Sequence, residues 1–130
     1  MLAGRAETVT LGQLKAAADR GNYLAERELG KAFYLGTEGL PRDYDQAFTY
    51  LLKAAAQEDP QGEFYLAHLY EEGNGVAKDT AKAFFLYQRA ADQGENESRC
   101  RVGKMFFEGQ EFKSDPAKGF AYVLHAGSDG

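Results

Sequence analysis

The sequence predicts an all-α fold, an α-solenoid of stacked antiparallel helix pairs, with about three repeats preceded by a leading half-repeat helix. Two observations carry this. The chain repeats itself at a nearly fixed interval: Asp43, Asp79 and Asp115 recur every 36 residues, as do Phe48, Phe84 and Phe120. Within each copy the apolar residues fall at helical spacings, as in Ala83, Phe84, Tyr87 and Ala91, and no stretch sustains period-two alternation.

In chain order, a leading helix is expected over about Thr10–Arg20. Three pairs follow: Tyr23–Leu35 with Tyr44–Gln57, Gln61–Glu72 with Thr80–Gln93, and Glu97–Glu108 with Pro116–Ala126. The first helix of each pair carries an aligned trio: Leu29, Gly30 and Phe33; Leu66, Ala67 and Tyr70; Val102, Gly103 and Phe106. The small residue lets a neighbouring helix approach closely, and the aromatic fills the space beside it. Gly36, Gly73 and Gly109 then stand where a helix ends on a left-handed residue. One apolar residue in each following loop, Leu40, Val76 or Phe112, reads as a plug between the two helices.

Asp43, Asp79 and Asp115 are placed to cap the second helices, because a short carboxylate accepts an unpaired backbone N–H of the first turn. Pro116 suits a first helical position, where a missing N–H costs nothing. The second helices close on Ala54-Ala55, Ala90-Ala91 and Ala126-Gly127. Gly21 and Gly94 end units, Glu58 takes that place in the middle, and Pro60 starts the next helix. The organisation expected is one domain over 1–130, with a leading helix at 8–21 and repeats at 22–57, 58–93 and 94–127.

Composition narrows the function. With 15 basic and 20 acidic side chains the net charge is -5, which argues against a phosphate-binding surface and so against nucleic acid. The single cysteine, Cys100, excludes an internal disulfide framework. No apolar run reaches the ~20 residues of a membrane-spanning helix. The opening MLAGRAETV has no apolar centre, so it does not read as a signal peptide, and the compartment stays open.

The pattern resembles the Sel-one-like repeat (SLR) family, a relative of the tetratricopeptide repeat. The resemblance is carried by Leu66-Ala67, Tyr70, Gly73, Gly75-Val76, Lys78-Asp79, Ala83, Tyr87, Ala90-Ala91 and Gly94 in the middle copy. The first copy matches through Ala25, Leu29-Gly30, Phe33, Gly36, Gly39-Leu40, Arg42-Asp43, Ala47 and Ala54-Ala55, and the third more weakly. It covers about Thr10 to Gly127. The cysteine-rich members staple each helix pair with a disulfide, which this chain cannot do. The resemblance implies a right-handed superhelix with the first helices lining a concave face, acting as an adaptor, bacterial in its leading form, that binds a protein or peptide. A narrower variant is an immunity or inhibitor protein for a partner toxin or enzyme. The different-class alternative is a hydrolase or penicillin-binding-like enzyme, as proposed for the cysteine-rich branch.

If the first helices bind as tetratricopeptide helices do, the resemblance selects positions two before the leucine and two, five and six after it. These are Arg27, Lys31, Tyr34 and Leu35; Phe64, His68, Glu71 and Glu72; and Cys100, Lys104, Phe107 and Glu108. The set mixes aromatics with both charge signs, as interfaces do. Tyr34 and Phe107 share one repeat position and are the expected anchors. Phe64 and Cys100 read equally as fillers between units, and Lys31 and Lys104 as a solvated face.

Chemistry finds little support. His68 and Cys100 fall on adjacent first helices, within conceivable reach, but no oxyanion donor or orienting carboxylate accompanies them. No His/Cys cluster has metal-ligand spacing, so no metal and no cofactor is expected. Glu71, Glu72 and Asp79 flank a helix end and a cap. Gly73-Asn74-Gly75 follows no strand, which removes a phosphate-loop reading. Asn96-Glu97-Ser98 matches a glycosylation sequon, a pattern common by chance. The last helix carries Phe120, Tyr122, Val123 and Leu124 with no following first helix to cover them, so self-association or a partner is expected there.

Overall fold

The computed structural model describes residues 10–108, which form six α-helices and, among the described residues, no strand. These are α1 (Leu11–Asp19), α2 (Tyr23–Leu35), α3 (Tyr44–Ala56), α4 (Pro60–Glu72), α5 (Thr80–Asp92) and α6 (Asn96–Glu108). Each helix packs on the next, and α2 also touches α4. The first helices of the first two repeats therefore meet directly. The expected last helix, its cap Asp115, the plug Phe112, Gly109 and the self-association surface lie outside the described residues.

The caps form as the residue types dictate. Asp43 accepts from the N–H of Gln46 at 3.1 Å, and Asp79 from that of Lys82 at 3.0 Å. Thr10 and Gln13 exchange side chain and backbone in a capping box at the start of α1. Helix α4 begins at Pro60, the residue suited to a helix start, and α6 begins one residue earlier than the sequence suggests. Asp59 caps α4, its Oδ2 accepting from Gly62 N–H at 2.7 Å, and this puts Pro60 inside the first turn. Glu95 does the same for α6, its Oε1 accepting from Ser98 N–H at 2.7 Å. Glu58 does stand in for a glycine, holding φ at 62° where Gly21 and Gly94 hold 86° and 97°.

Each hairpin is closed by the same backbone bond. The cap aspartate's own N–H donates to a carbonyl of the first helix, Asp43 to Phe33 and Asp79 to Tyr70, both at 2.9 Å. Leu40 and Val76 are half-buried against the core as plugs. The core runs between the layers. Leu29, Ala47, Leu51, Leu66 and Leu69 anchor its first part; Ala67, Ala83, Tyr87, Val102 and Met105 anchor its second. Gly30 is indispensable to the α2–α3 contact, because a Cβ there would lie 2.5 Å from Leu51 Cγ.

Two buried glutamates find partners inside their own units. Gln57 Nε2 donates to Glu26 Oε1 at 2.7 Å, and Gln93 Nε2 donates to Glu63 Oε1 at the same distance. The second oxygen of Glu63 lies 3.1 Å from Arg89 Nε, an ion pair without hydrogen-bond alignment. Glu26 and Glu63 occupy one repeat position, Gln57 and Gln93 another, so the same bridge ties the first helix to the end of the second in both units. Burying a carboxylate without such partners would be costly.

Candidate functional site

The first helices α2 and α4 present a continuous set of rings. Tyr34 on α2 packs against Tyr65 on α4 at 5.5 Å between centroids and against His68 at 6.2 Å. Phe64 meets His68 edge-on at 4.6 Å, and Tyr87 reaches the same imidazole from α5 at 5.5 Å. Tyr44, at the start of α3, closes the other end against Tyr34 at 5.8 Å. Edge-to-face packing of this kind adds to the burial energy and fixes ring orientation.

Charged groups hold this array at its rim. Glu71 Oε1 accepts from Tyr87 Oη at 2.7 Å and from Arg101 Nη2 at 3.0 Å, joining α4, α5 and α6 through one carboxylate oxygen. Arg101 also lies over the Tyr87 ring, 5.9 Å from its centroid. Tyr34 Oη donates to Glu72 Oε1 at 3.2 Å. Burial, followed by the neighbouring carboxylates, pushes the phenols of Tyr34 and Tyr87 well above the usual range, so both act as donors. His68 moves the other way. Burial first, then the Arg101 charge, holds its imidazole below the ordinary value, against the smaller opposing pull of Glu71. Its Nδ1 lies 3.9 Å from Glu71 and has no hydrogen-bond partner.

Of the residues singled out from the sequence, Tyr34, Phe64, His68 and Glu71 come together. Phe64 is 7% exposed and belongs to the core between units, so it supports the face from beneath. Arg27 is engaged elsewhere: its guanidinium lies 3.3 Å from Asp59, the cap of α4, and 3.1 Å from Glu28. Lys31 is half-buried at the edge of a depression it shares with Phe64 and Tyr65. Cys100, Lys104 and Phe107 are exposed along α6, with Lys104 Nζ 4.0 Å from Glu108. Tyr34 and Phe107, equivalent by register, thus differ: Tyr34 is ringed by other aromatics, and Phe107 is 43% exposed.

The position immediately before the leucine lies outside those that the tetratricopeptide frame selects. It carries Glu28, Tyr65 and Arg101, all half-buried; Tyr65 and Arg101 belong to this face's network, and Glu28 faces Arg27 beside it. One acid, one aromatic and one base in a single repeat column was a visible signal, because a merely solvated column has no reason to hold an aromatic. Among the described residues no three His, Cys, Asp or Glu side chains cluster as a metal site requires, and no helix is long and apolar enough to cross a membrane.

The Sel1 repeat family model matches residues 24–59, 60–95 and 96–128. Two solved structures are similar. One is a protective antigen present in uropathogenic Escherichia coli strains and displaying an SLR fold, with a TM-score of 0.87 and 33% identity, covering 92% of this chain and 26% of that one. The other is a Sel1 repeat protein from Oxalobacter formigenes, with a TM-score of 0.83 and 30% identity, covering 92% of this chain and 48% of its own. Among curated proteins, the ERAD-associated E3 ubiquitin-protein ligase component HRD3A of Arabidopsis thaliana is 34% identical over 62 residues, 48% of this chain and 9% of the plant protein. The chain therefore spans less than half the length of each of these relatives. Helix pairs at this period, with these caps, glycines and double alanines, together with three matched repeats, make the chain a member of the Sel1 repeat family, whose proteins are all-α solenoid modules that generally bind other proteins.

Proposed function

We propose that the chain is a protein-interaction module that holds a protein or peptide segment against the face built by its first helices. The observation that supports this is the run of partly exposed rings from Tyr44 through Tyr34 and Tyr65 to His68, spanning two repeats and bordered by Lys31, Glu71 and Glu72. Rigid aromatics with a polar tip give contact area at low conformational cost, which is why they dominate interface energetics. Tyr34, Lys31, His68 and Glu71 contact the partner on this reading, with Phe64 and Arg27 holding the surface in place. Cys100, Lys104 and Phe107 extend it along α6.

The chain binds and performs no chemistry on this reading. His68 sits among three rings with a depressed basicity, which suits a contact surface and not acid–base chemistry, and its neighbouring carboxylate is already shared by Tyr87 and Arg101.

The test is a peptide selected from a random display library on the intact chain, mapped by amide chemical-shift changes. Changes are expected to cluster at Lys31, Tyr34, Tyr65 and His68. Changes confined to Leu52 and Phe85, exposed on the second helices α3 and α5, would overturn the assignment of the face.

A further inference from the structure

The first-helix face is aromatic at its centre and acidic along one side, and that asymmetry bears on its occupant. A shallow depression opens between α2, α4 and the start of α6, lined by Lys31, Gln61, Phe64, Tyr65, Glu95 and Glu97. Burial, followed by the charges of Glu97, Glu95 and Glu28, raises the Tyr65 phenol above its ordinary value, so three carboxylates act on this one ring. Glu28 is matched by Arg27 at 3.1 Å. Glu95 uses one oxygen on the Ser98 N–H. Its second oxygen and the whole carboxylate of Glu97 have no protein partner among the described residues. Lys31 is the one cation lining the depression.

Carboxylates beside an aromatic face attract a cation twice over, by charge and by the ring quadrupole. An anionic segment laid in the same place would meet repulsion from both glutamates, and a purely apolar one would strip them of water without return. We propose that this depression takes a lysine or arginine side chain from an extended segment of the partner, its charged head between Glu95 and Glu97 and its aliphatic stem along the Tyr65 ring. This rests on the first-helix face being the binding surface, and adds the partner's chemistry to it. Lys31, at the opposite wall, sets the limit of the cationic subsite.

The experiment titrates the isotopically labelled chain with tri-arginine amide, tri-alanine amide and tri-glutamate amide, following amide shifts. Tri-arginine amide is expected to give saturable changes at Tyr65, Glu97 and Lys31. Glu97→Lys, at an exposed position, should weaken it about tenfold, and Lys31→Glu should strengthen it, with both variants retaining the wild-type circular dichroism spectrum. The proposal is overturned if tri-glutamate amide binds the depression as well, if the arginine-induced changes scatter over the acidic surface, or if Lys31→Glu weakens binding. A library-selected peptide that maps to the first-helix face but carries no basic residue would overturn the cationic subsite and leave the face intact. A peptide that maps elsewhere would overturn both.

Discussion

Gly30 and Leu51 meet with no space for another atom: a Cβ on Gly30 would lie 2.5 Å from Leu51 Cγ and 3.1 Å from its backbone nitrogen. Ordinarily alanine is favoured over glycine inside a helix by about 1 kcal/mol. Here the neighbour is a branch point and a main chain, neither of which can swing aside, so overpacking wins. Gly30→Ala is expected to destabilise the chain by about 1–3 kcal/mol in urea denaturation. A stabilised variant would mean that α2 and α3 can separate without loss.

Asp59 serves two partners at once, accepting from Gly62 N–H at 2.7 Å and facing Arg27 at 3.3 Å. It is 4% exposed. Asp59→Asn keeps a capping oxygen and loses the ion pair, whereas Asp59→Ala loses both. The alanine variant should cost about 2 kcal/mol or more and the asparagine variant less, with Arg27→Ala accounting for the gap in a double-mutant cycle. Equal losses for the two Asp59 variants would remove the ion pair from the argument.

Glu63 is fully buried, and burial raises its pKa above 4.5 despite the opposing pull of Arg89. The folded state then holds its proton more tightly than the unfolded state does. This contribution to stability is full below 4.5 and is lost as pH rises through the folded pKa. Glu63→Gln removes that dependence and leaves an acceptor for Gln93, while Arg89, 39% exposed, returns to water. The glutamine variant should stay within about 1 kcal/mol of wild type at neutral pH, and Glu63→Ala should lose about 1–3 kcal/mol. Denaturant melts across pH distinguish the two.

His68 predicts the reverse slope. Its folded pKa lies below 6.5, so the unfolded state takes up the proton first. Stability present above 6.5 is lost as pH falls toward the folded value, and the loss stops growing below it. Arg101, Glu71, Glu72 and Glu97 all act on this imidazole, with burial and Arg101 outweighing the carboxylates. Subtracting the pH profile of His68→Gln from that of the wild type isolates this step. A difference profile that is flat across the window would show that the imidazole is as free to ionise folded as unfolded.

The fold was legible because its signals are local and repeated. A capping aspartate, a left-handed glycine and a plug recur at one interval, and each can be read from a few neighbouring residues. The helix start at Asn96 lies one residue ahead of the expected one, because Glu95 looks like an ordinary loop acid until its oxygen meets an N–H. The candidate site was only half legible. Repeat register located Tyr34, Phe64, His68 and Glu71, but register assumes that one position does one job in every copy. Phe64 turned beneath the surface, Arg27 was taken by a cap, and Tyr65 supplied the ring that the frame assigned elsewhere. Which side chain surfaces depends on the curvature between units, and that is a property of packing across more than 30 residues of separation.

The pairing of Glu26 with Gln57 and of Glu63 with Gln93 gives each of these two buried carboxylates a partner from its own unit. A gene encoding such units can gain or lose one by unequal recombination without stranding these two glutamates, provided that the incoming neighbour supplies a base where Arg27 meets Asp59. Copy number can then drift, and the length of the first-helix face with it, while the glutamate–glutamine bridge at each hairpin stays the same.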